Sequence, residues 1–236
     1  AGYQRQLPPG LPQARRLMRV RAVLFDLDGT LVDSAPDLAG AADELRAERG
    51  LPPLPYEAYR PRAGSGARGM LAAAFGLTPA DEAYAPLREA FLARYQRRLL
   101  QASVVFPAVP AMLARIEASG CPWGVVTNKA VYLAEPLLEG LALRQRAAVV
   151  VGGDSTPHTK PHPAPLLHAT AALGVDPADC VYVGDDARDM QAGRAAGMVT
   201  LAAAWGYLGP DARLEDWPAH GIVPSPAELL NWLELP

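Results

Sequence analysis

Two aspartates with the potential for chemistry, Asp26 and Asp28, stand two positions apart after the largely apolar run 20–25. If that run is a buried strand, both carboxylates point the same way at its carboxyl end. Two such charges need a cation to offset their repulsion. An ionised aspartate is also able to attack an electrophile. By itself the stretch also allows a simpler interpretation, an acid pair that caps the next helix.

Three further polar clusters follow later apolar runs. They are Thr127, Asn128 and Lys129; Lys160 and Pro161; and Asp185, Asp186 and Asp189. Each cluster alone is a weak signal, because helix capping or solvation would explain it. Open parallel sheets, however, bind their ligands at the carboxyl ends of the strands. We therefore expect the four clusters to converge on one crevice.

The residue types in this crevice suit the transfer of a phosphoryl group. Asp26, Asp185 and a main-chain carbonyl near Asp28 offer the hard oxygen ligands that Mg²⁺ prefers. Thr127 and the main-chain amides after it would hold phosphate oxygens, and Lys160 would screen the negative charge. Asp28 is suited to protonate a leaving alkoxide and then to deprotonate water. The pattern predicts hydrolysis of a phosphomonoester through an aspartyl-phosphate.

Alternating strands and helices would position these clusters. Strands are predicted for residues 123–126, 147–151, 181–183 and 198–201. Helices are predicted for residues 109–119, 131–139, 163–173, 187–196 and 226–235, the last with Ser225 as its N-cap. Such alternation predicts an α/β fold, a doubly wound, Rossmann-like parallel sheet with helices on both faces.

Residues 35–102 interrupt this alternation with a helical segment. Helices are predicted for residues 35–50, 68–75 and 80–100, with Thr78 as the cap of the last helix and Pro79 at its first position. We predict a core of residues 18–34 and 103–236 with residues 35–102 inserted as a small α-helical domain. Its joins to the core, at residues 33–36 and 102–107, would act as hinges.

Composition excludes several classes of partner. The net charge of −3 gives no electrostatic reason for binding nucleic acid or an anionic membrane, and no apolar run reaches the length of a membrane span. Cys121 and Cys180 lack metal-ligand spacing, so we expect buried free thiols and a cytoplasmic location. Residues 1–17 lack the apolar region of a secretory signal and are predicted to be an extension without function. Oligomeric state stays open.

Four motifs in this order resemble those of the haloacid dehalogenase superfamily, in its phosphoglycolate phosphatase-like branch. They are Phe-Asp-Leu-Asp-Gly-Thr-Leu at 25–31, Val-Thr-Asn-Lys at 126–129, Lys-Pro at 160–161 and Val-Gly-Asp-Asp-Ala-Arg-Asp at 183–189. The resemblance implies that the helical insertion is a cap that closes over a small phosphorylated metabolite. More narrowly, residues 48–52, 66–68, 92–96 and 123–129 resemble bacterial N-acetylmuramic acid 6-phosphate phosphatases.

The resemblance also implies a role for each matching residue. Asp26 would be the nucleophile and Asp28 the acid/base. The phosphate would be bound by Thr127, Asn128 and Lys160. The Mg²⁺ ligands would be Asp26, Asp28, Asp185 and Asp189, with Asp186 able to share the duty of Asp189. In the cap, Gly66 and Arg68 would contribute to substrate specificity.

One departure from the family pattern is His162, which stands where relatives commonly have an aspartate that tethers the lysine loop. The role of Arg68 is also open, between pairing with a substrate carboxylate and simple solvation. Two alternative functions remain on the same core: a phosphosugar mutase and a non-catalytic protein that binds a phosphorylated ligand. A receiver domain would be half as long, and a dehalogenase would not need Asp28.

Overall fold

A parallel sheet of six strands lies at the centre of the fold in the computed structural model, which describes residues 18–235. The strands are β1 (Met18–Arg19), β2 (Ala22–Phe25), β3 (Val32–Asp33), β4 (Val104–Val105), β5 (Trp123–Val126), β6 (Val149–Val151), β7 (Cys180–Gly184), β8 (Val199–Ala203), β9 (Gly221–Val223) and β10 (Leu233–Glu234). The central sheet has the order β6-β5-β2-β7-β8-β9, and all its pairings are parallel.

The helices form two groups: the first four along the chain make up the helical insertion, and later ones pack on both faces of this sheet. They are α1 (Ala35–Ala47), α2 (Tyr56–Tyr59), α3 (Gly66–Phe75), α4 (Tyr84–Arg98), α5 (Val109–Ala118), α6 (Val131–Gly140), α7 (Ala164–Leu173), α8 (Ala187–Ala195) and α9 (Pro226–Leu229). Side chains alternate along β2: Val23 and Phe25 join the core cluster that includes α5 and α6, whereas Ala22 and Leu24 join the cluster that includes α7 and α8. Burial on both faces explains why β2 is apolar throughout. The predicted α/β fold is confirmed.

The helical insertion, α1 to α4, lies between β3 and β4, which pair antiparallel. Buried Asp37 in the first turn of α1 accepts hydrogen bonds from the main-chain N–H groups of Ala102 and Ser103, at 2.9 and 2.8 Å, and from the Ser103 hydroxyl at 2.8 Å. These bonds fasten the start of the insertion to its end. The division at residues 34/35 and 102/103 stays a prediction.

The structure corrects the beginning of α4. Thr78 does not cap a helix at Ala80. Instead, the carboxylate of Asp81 accepts hydrogen bonds from the Thr78 N–H at 2.6 Å and from its hydroxyl at 2.8 Å, which closes a turn, and α4 begins at Tyr84. The side-chain bonds of this turn compete with helical ones and delay the helix.

The carboxyl terminus also differs from the predicted helix of residues 226–235. Helix α9 ends at Leu229, a 3₁₀ turn follows at Leu230–Trp232, and β10 then pairs in parallel with β1. This pairing supplies main-chain hydrogen bonds from residues more than two hundred positions away, which no local pattern predicts. Strand β9 was likewise not predicted.

Other expectations concern residues away from the site. Cys121 and Cys180 are buried free thiols, as predicted. Within residues 18–235, no helix has the length and apolar character needed to cross a bilayer. The prediction about residues 1–17 lies outside the described residues. The cytoplasmic location stays a prediction.

Candidate active site

The polar clusters meet at the carboxyl ends of three adjacent strands. Phe25, the last residue of β2, is paired with Val125 on one side and with Val183 on the other. The residues just beyond β2, β5 and β7 are therefore neighbours. Asp26 is fixed directly, since its main-chain N–H donates to the Val183 carbonyl at 2.9 Å. The expected convergence is observed.

Three buried acids form a cluster with the character of a metal centre. Carboxylate oxygens of Asp26, Asp185 and Asp189 all lie within 4.8 Å of one another. Burial raises the pKa of Asp26 to about 6, with Lys160 opposing the rise and Asp189 adding to it. Burial and the Asp26 carboxylate also raise the pKa of Asp185 well above its usual range. A cation between these oxygens would relieve the repulsion, and their hard character fits a divalent metal ion.

Asp185 is held by residues that come from distant parts of the chain. Its carboxylate accepts hydrogen bonds from the Thr30 hydroxyl and from the Tyr207 N–H, both at 2.8 Å. A Cβ on Gly29, where φ is +89°, would lie 2.1 Å from the Asp185 carboxylate, and one on Gly206 would lie 2.2 Å from its Cβ. Only glycine fits these positions. Gly206 and Tyr207 were missed by the sequence reasoning, and no local signal marks them.

Lys160 lies inside the acid cluster. Its ammonium is 2.8 Å from carboxylate oxygens of both Asp26 and Asp189, and it also donates to the Val126 carbonyl at 3.0 Å. Burial alone would lower the pKa of Lys160, but the two carboxylates hold it above its usual range. The side chain is therefore a cation beside Asp26, and its predicted role in screening the charge of a phosphate stays a prediction.

Asn128 positions the loop that carries Lys160. Its amide oxygen accepts from the Lys160 N–H at 2.9 Å, and its amide nitrogen donates to the Lys160 carbonyl at 3.0 Å. This pair provides the tether that His162 does not. His162 is exposed, accepts from the Ala164 N–H at the start of α7 and stacks on His158. The predicted phosphate contact of Asn128 stays a prediction, because its side chain has this other task.

Asp28 faces a different set of partners from Asp26. Its carboxylate lies 3.1 Å from the Lys129 ammonium and accepts a hydrogen bond from the Ser34 hydroxyl. The carboxylate is not part of the three-acid cluster. The ion pair with Lys129 directs this side chain elsewhere, and the expected role of Asp28 as a metal ligand stays a prediction. A contribution through a nearby main-chain carbonyl stays a prediction.

The structure separates the two acids that the sequence left interchangeable. Asp189 joins the cluster, whereas Asp186 caps α8 by accepting from the Arg188 N–H at 2.9 Å and forms an ion pair with the Arg188 guanidinium at 2.7 Å. The same guanidinium donates to the carbonyl of Gly64 in the helical insertion at 3.0 Å. Arg188, held by Asp186, therefore connects the start of α8 to the insertion.

A cavity of about 280 Å³ lies between the acid cluster and the insertion. Its insertion side includes the predicted Gly66 and Arg68, and also Arg88 and Tyr95 of α4, which the sequence reasoning missed. The spacing in the sequence offered a signal for Arg88 and Tyr95, because the residues of α4 that line the cavity recur at helical intervals. They are Tyr84, Arg88, Phe91, Leu92 and Tyr95. Within residues 18–235, neither Arg68 nor Arg88 has an ion-pair partner. The wall opposite the acids is therefore cationic.

Comparison with known proteins matches residues 20–197 to the family model of haloacid dehalogenase-like hydrolases. N-acetylmuramic acid 6-phosphate phosphatase of Pseudomonas aeruginosa is 44% identical over 92% of this chain and 96% of its own. A phosphoglycolate phosphatase of Xanthomonas campestris pv. campestris is 49% identical over 89% of this chain and 94% of its own. The crystal structure of a predicted phosphoglycolate phosphatase from Haemophilus somnus 129pt has a TM-score of 0.79 at 27% identity, covering 90% of this chain and 97% of that one.

The matched region contains all four polar clusters and the whole helical insertion. The relatives align along nearly their entire length, so the similarity extends beyond short motifs to the core and the insertion together. The resemblance predicted from the four motifs is thereby confirmed. The chain belongs to the haloacid dehalogenase-like hydrolases.

Proposed function

We propose that the protein is a Mg²⁺-dependent phosphatase that hydrolyses a small phosphomonoester through an aspartyl-phosphate on Asp26. The observation that carries the proposal is the position of Asp26. Its buried carboxylate lies within the three-acid cluster, contacts the ammonium of Lys160 and borders the cavity. A carboxylate beside a fixed cation and a metal centre is suited to attack a phosphorus atom whose oxygens share those cations.

In the first half-reaction, an Asp26 carboxylate oxygen forms a bond to phosphorus while the ester P–O bond breaks. The electron pair of that bond goes to the leaving alkoxide, which takes a proton from Asp28. Thr127, the main-chain amides after it and Lys160 would hold the phosphoryl oxygens. Bound Mg²⁺, held by Asp26, Asp185 and Asp189, would neutralise charge on the phosphoryl group.

In the second half-reaction, water attacks the phosphorus of the aspartyl-phosphate. Asp28, now ionised, takes a proton from this water. The bond between phosphorus and the Asp26 oxygen breaks, its electron pair returns to the carboxylate, and inorganic phosphate leaves. The enzyme is thereby restored, since Asp28 gives up a proton in the first half-reaction and takes one back in the second.

For the substrate, we propose a phosphomonoester that also carries a carboxylate. Phosphoglycolate and N-acetylmuramate 6-phosphate, after which the two relatives are named, share these two groups. The cationic side of the cavity, with Arg68 and Arg88, complements a carboxylate placed away from the transferred phosphate. A guanidinium binds a carboxylate through two parallel hydrogen bonds, which would orient the substrate.

Phosphate release tests the function directly. Phosphoglycolate, N-acetylmuramate 6-phosphate and common sugar phosphates are compared at equal Mg²⁺, with the wild type and Asp26→Asn. We expect release from the two carboxylate-bearing esters, and a loss on the order of 10⁴-fold or more in Asp26→Asn because the nucleophile is removed. An Asp26→Asn protein with full turnover would refute the mechanism. Isomerisation without phosphate release would indicate the mutase, and binding without turnover the ligand-binding protein.

A further inference from the structure

Lys129 is a buried lysine that the proposed mechanism leaves without a task. It follows β5, and its side chain is 7% exposed. Its ammonium lies 3.1 Å from an oxygen of Asp28, donates to the hydroxyl of Tyr95 at 2.9 Å and sits 4.5 Å from the centre of the Tyr95 ring. Burial alone would lower the pKa of Lys129, but Asp28 and Tyr95 hold it above its usual range. The ammonium therefore stays charged.

The two partners of this ammonium belong to different parts of the fold. Asp28 follows β2 at the sheet edge, whereas Tyr95 lies on α4 of the helical insertion and stacks on Phe91. Tyr95 is itself almost fully buried. A lysine side chain has many rotamers, and contacts on two sides restrict it to one of them. Tyr95 therefore fixes the ammonium, and the ammonium fixes the carboxylate.

A second contact holds the Asp28 carboxylate from the hinge. The hydroxyl of Ser34 donates to Asp28, and the main-chain N–H of Ser34 donates to the phenol oxygen of Tyr207 at 2.7 Å. Asp28 thus has two partners: Ser34 at the start of α1, and Lys129, which contacts Tyr95 of α4. Without Lys129, this carboxylate would keep the Ser34 hydrogen bond but lose the positive charge that opposes its attraction towards a cation in the neighbouring acid cluster.

We propose that Lys129, braced by Tyr95, is a positioning residue that holds the Asp28 carboxylate towards the cavity and away from the three-acid cluster. This inference rests on the proposed function, in which Asp28 delivers a proton to the leaving oxygen. On this proposal the two carboxylates face different ways. Lys160 holds the Asp26 carboxylate in the three-acid cluster, and Lys129 holds the Asp28 carboxylate outside it. An acid aimed at the leaving group matters most when that group is a poor one.

The test compares benzyl phosphate, which leaves as an alkoxide, with p-nitrophenyl phosphate, which leaves as a stable phenolate and needs little protonation. The two esters are of similar size and neither has a carboxylate. The measured quantity is kcat/KM, which reports the first half-reaction only, because the second half-reaction is common to both esters. We expect Asp28→Asn to lose about 10²- to 10⁴-fold in kcat/KM on benzyl phosphate, and Lys129→Met to lose at least about 10-fold there. On p-nitrophenyl phosphate, kcat/KM of Lys129→Met should stay within about threefold of the wild-type value, because this leaving group needs little protonation.

The double variant distinguishes positioning from direct substrate binding. If Lys129 acts through Asp28, Lys129→Met adds no further loss on benzyl phosphate in the Asp28→Asn background. Equal losses of kcat/KM on both esters, or losses that multiply in the double variant, would overturn the inference. If Lys129→Met does not fold, Tyr95→Phe decides, since it should lower the rate ratio, the kcat/KM for benzyl phosphate divided by that for p-nitrophenyl phosphate, by about threefold. An unchanged ratio would overturn the inference.

Two controls keep the outcomes separate. Tyr56→Phe removes a hydroxyl from a tyrosine that belongs to the insertion but does not line the cavity, and it should leave the rate ratio unchanged. Asp26→Asn should abolish turnover of both esters. If the wild type turns over neither ester nor any member of the phosphate-release panel, the proposed function fails. If the wild type turns over these esters but Lys129→Met has the same rate ratio as the wild type, only the positioning role fails.

Discussion

At the scale of single residues, the site contains two lysine–aspartate ion pairs whose carboxylates face different parts of the site. Lys160 lies 2.8 Å from Asp26 and Lys129 lies 3.1 Å from Asp28. Both lysines are buried, so each ammonium is stabilised by its carboxylate, and each carboxylate would be costly without its lysine. Two acids only two positions apart thereby acquire different surroundings, as the assignment of a nucleophile and an acid/base requires.

Arg68 carries the first prediction at this scale. Because loss of a bidentate, charge-assisted pair removes roughly 1.5–3 kcal/mol, Arg68→Ala should raise KM for phosphoglycolate or N-acetylmuramate 6-phosphate by about 10- to 100-fold. On p-nitrophenyl phosphate, which has no carboxylate, it should change KM by less than about twofold. Steady-state phosphate release measures both. Arg62→Ala is the control, because Arg62 lies on the 3₁₀ turn Arg60–Ser65 just before α3 and does not line the cavity. Equal losses on the two kinds of ester would contradict carboxylate recognition.

At the scale of elements, the insertion is joined to the core through a short ribbon and a buried acid. Strands β3 and β4 contribute two residue pairs, Val32 with Val105 and Asp33 with Val104. So small a ribbon is weak alone, and Asp37 reinforces it by binding the main chain just before β4. Arg98 and Glu44, which form an ion pair at 2.6 Å, connect α4 with α1 in the same region.

Asp37→Ala tests this join. The substitution leaves two main-chain N–H groups, one of them on buried Ser103, without their acceptor, so we expect a destabilisation of about 2–4 kcal/mol. Denaturant unfolding followed by circular dichroism gives the free energy. Asp37→Asn keeps one acceptor oxygen and should lose less. Asp81→Ala, which removes an exposed acid with two hydrogen bonds to Thr78, should change stability far less. An Asp37→Ala protein as stable as wild type would show that the ribbon needs no such support.

At the scale of the whole molecule, the charge of the acid cluster makes stability depend on pH. The pKa of Asp26 is raised to about 6 in the folded protein, compared with roughly 3.9 in an unfolded chain. The folded state therefore binds the proton more tightly. Stability from this group is fully present below about pH 4 and is lost as pH rises through about 6. Asp185, whose pKa is also raised, acts in the same direction.

Mg²⁺ should reverse this loss, since it binds the ionised carboxylates in competition with protons. Mg²⁺ at about 100 times its Kd contributes roughly 2.7 kcal/mol, which for a chain of this size raises Tm by roughly 5–10 °C. We expect that rise at pH 7.5 and a much smaller one at pH 5, measured by thermal melting. Asp189→Asn should abolish the rise, whereas Asp186→Asn, outside the cluster, should retain it. Equal Mg²⁺ shifts at both pH values would contradict the competition.

The sequence by itself determined the fold class and the polar residues that follow the strands at the candidate site, but not Tyr95, Arg88, Gly206 or Tyr207. Buried parallel strands are continuously apolar, so β2, β5 and β7 were recognisable, and the polar residues after each strand marked a common sheet edge. The helical insertion was evident for a related reason, since its residues lack any strand pattern. These features depend on local periodicity, which a single chain displays directly.

The tertiary structure decided which way each side chain at that edge faces. It assigned Asp189 to the acid cluster and Asp186 to Arg188, gave Asn128 the task of holding Lys160, and brought Tyr95 onto Lys129. Lys160 and Asp26, which are in contact, are 134 positions apart in the sequence, and Tyr207 and Asp185, which share a hydrogen bond, are 22 positions apart. Such contacts follow from how the strands pack and where the chain returns, because side-chain direction at a strand end is set by neighbours that are distant in sequence.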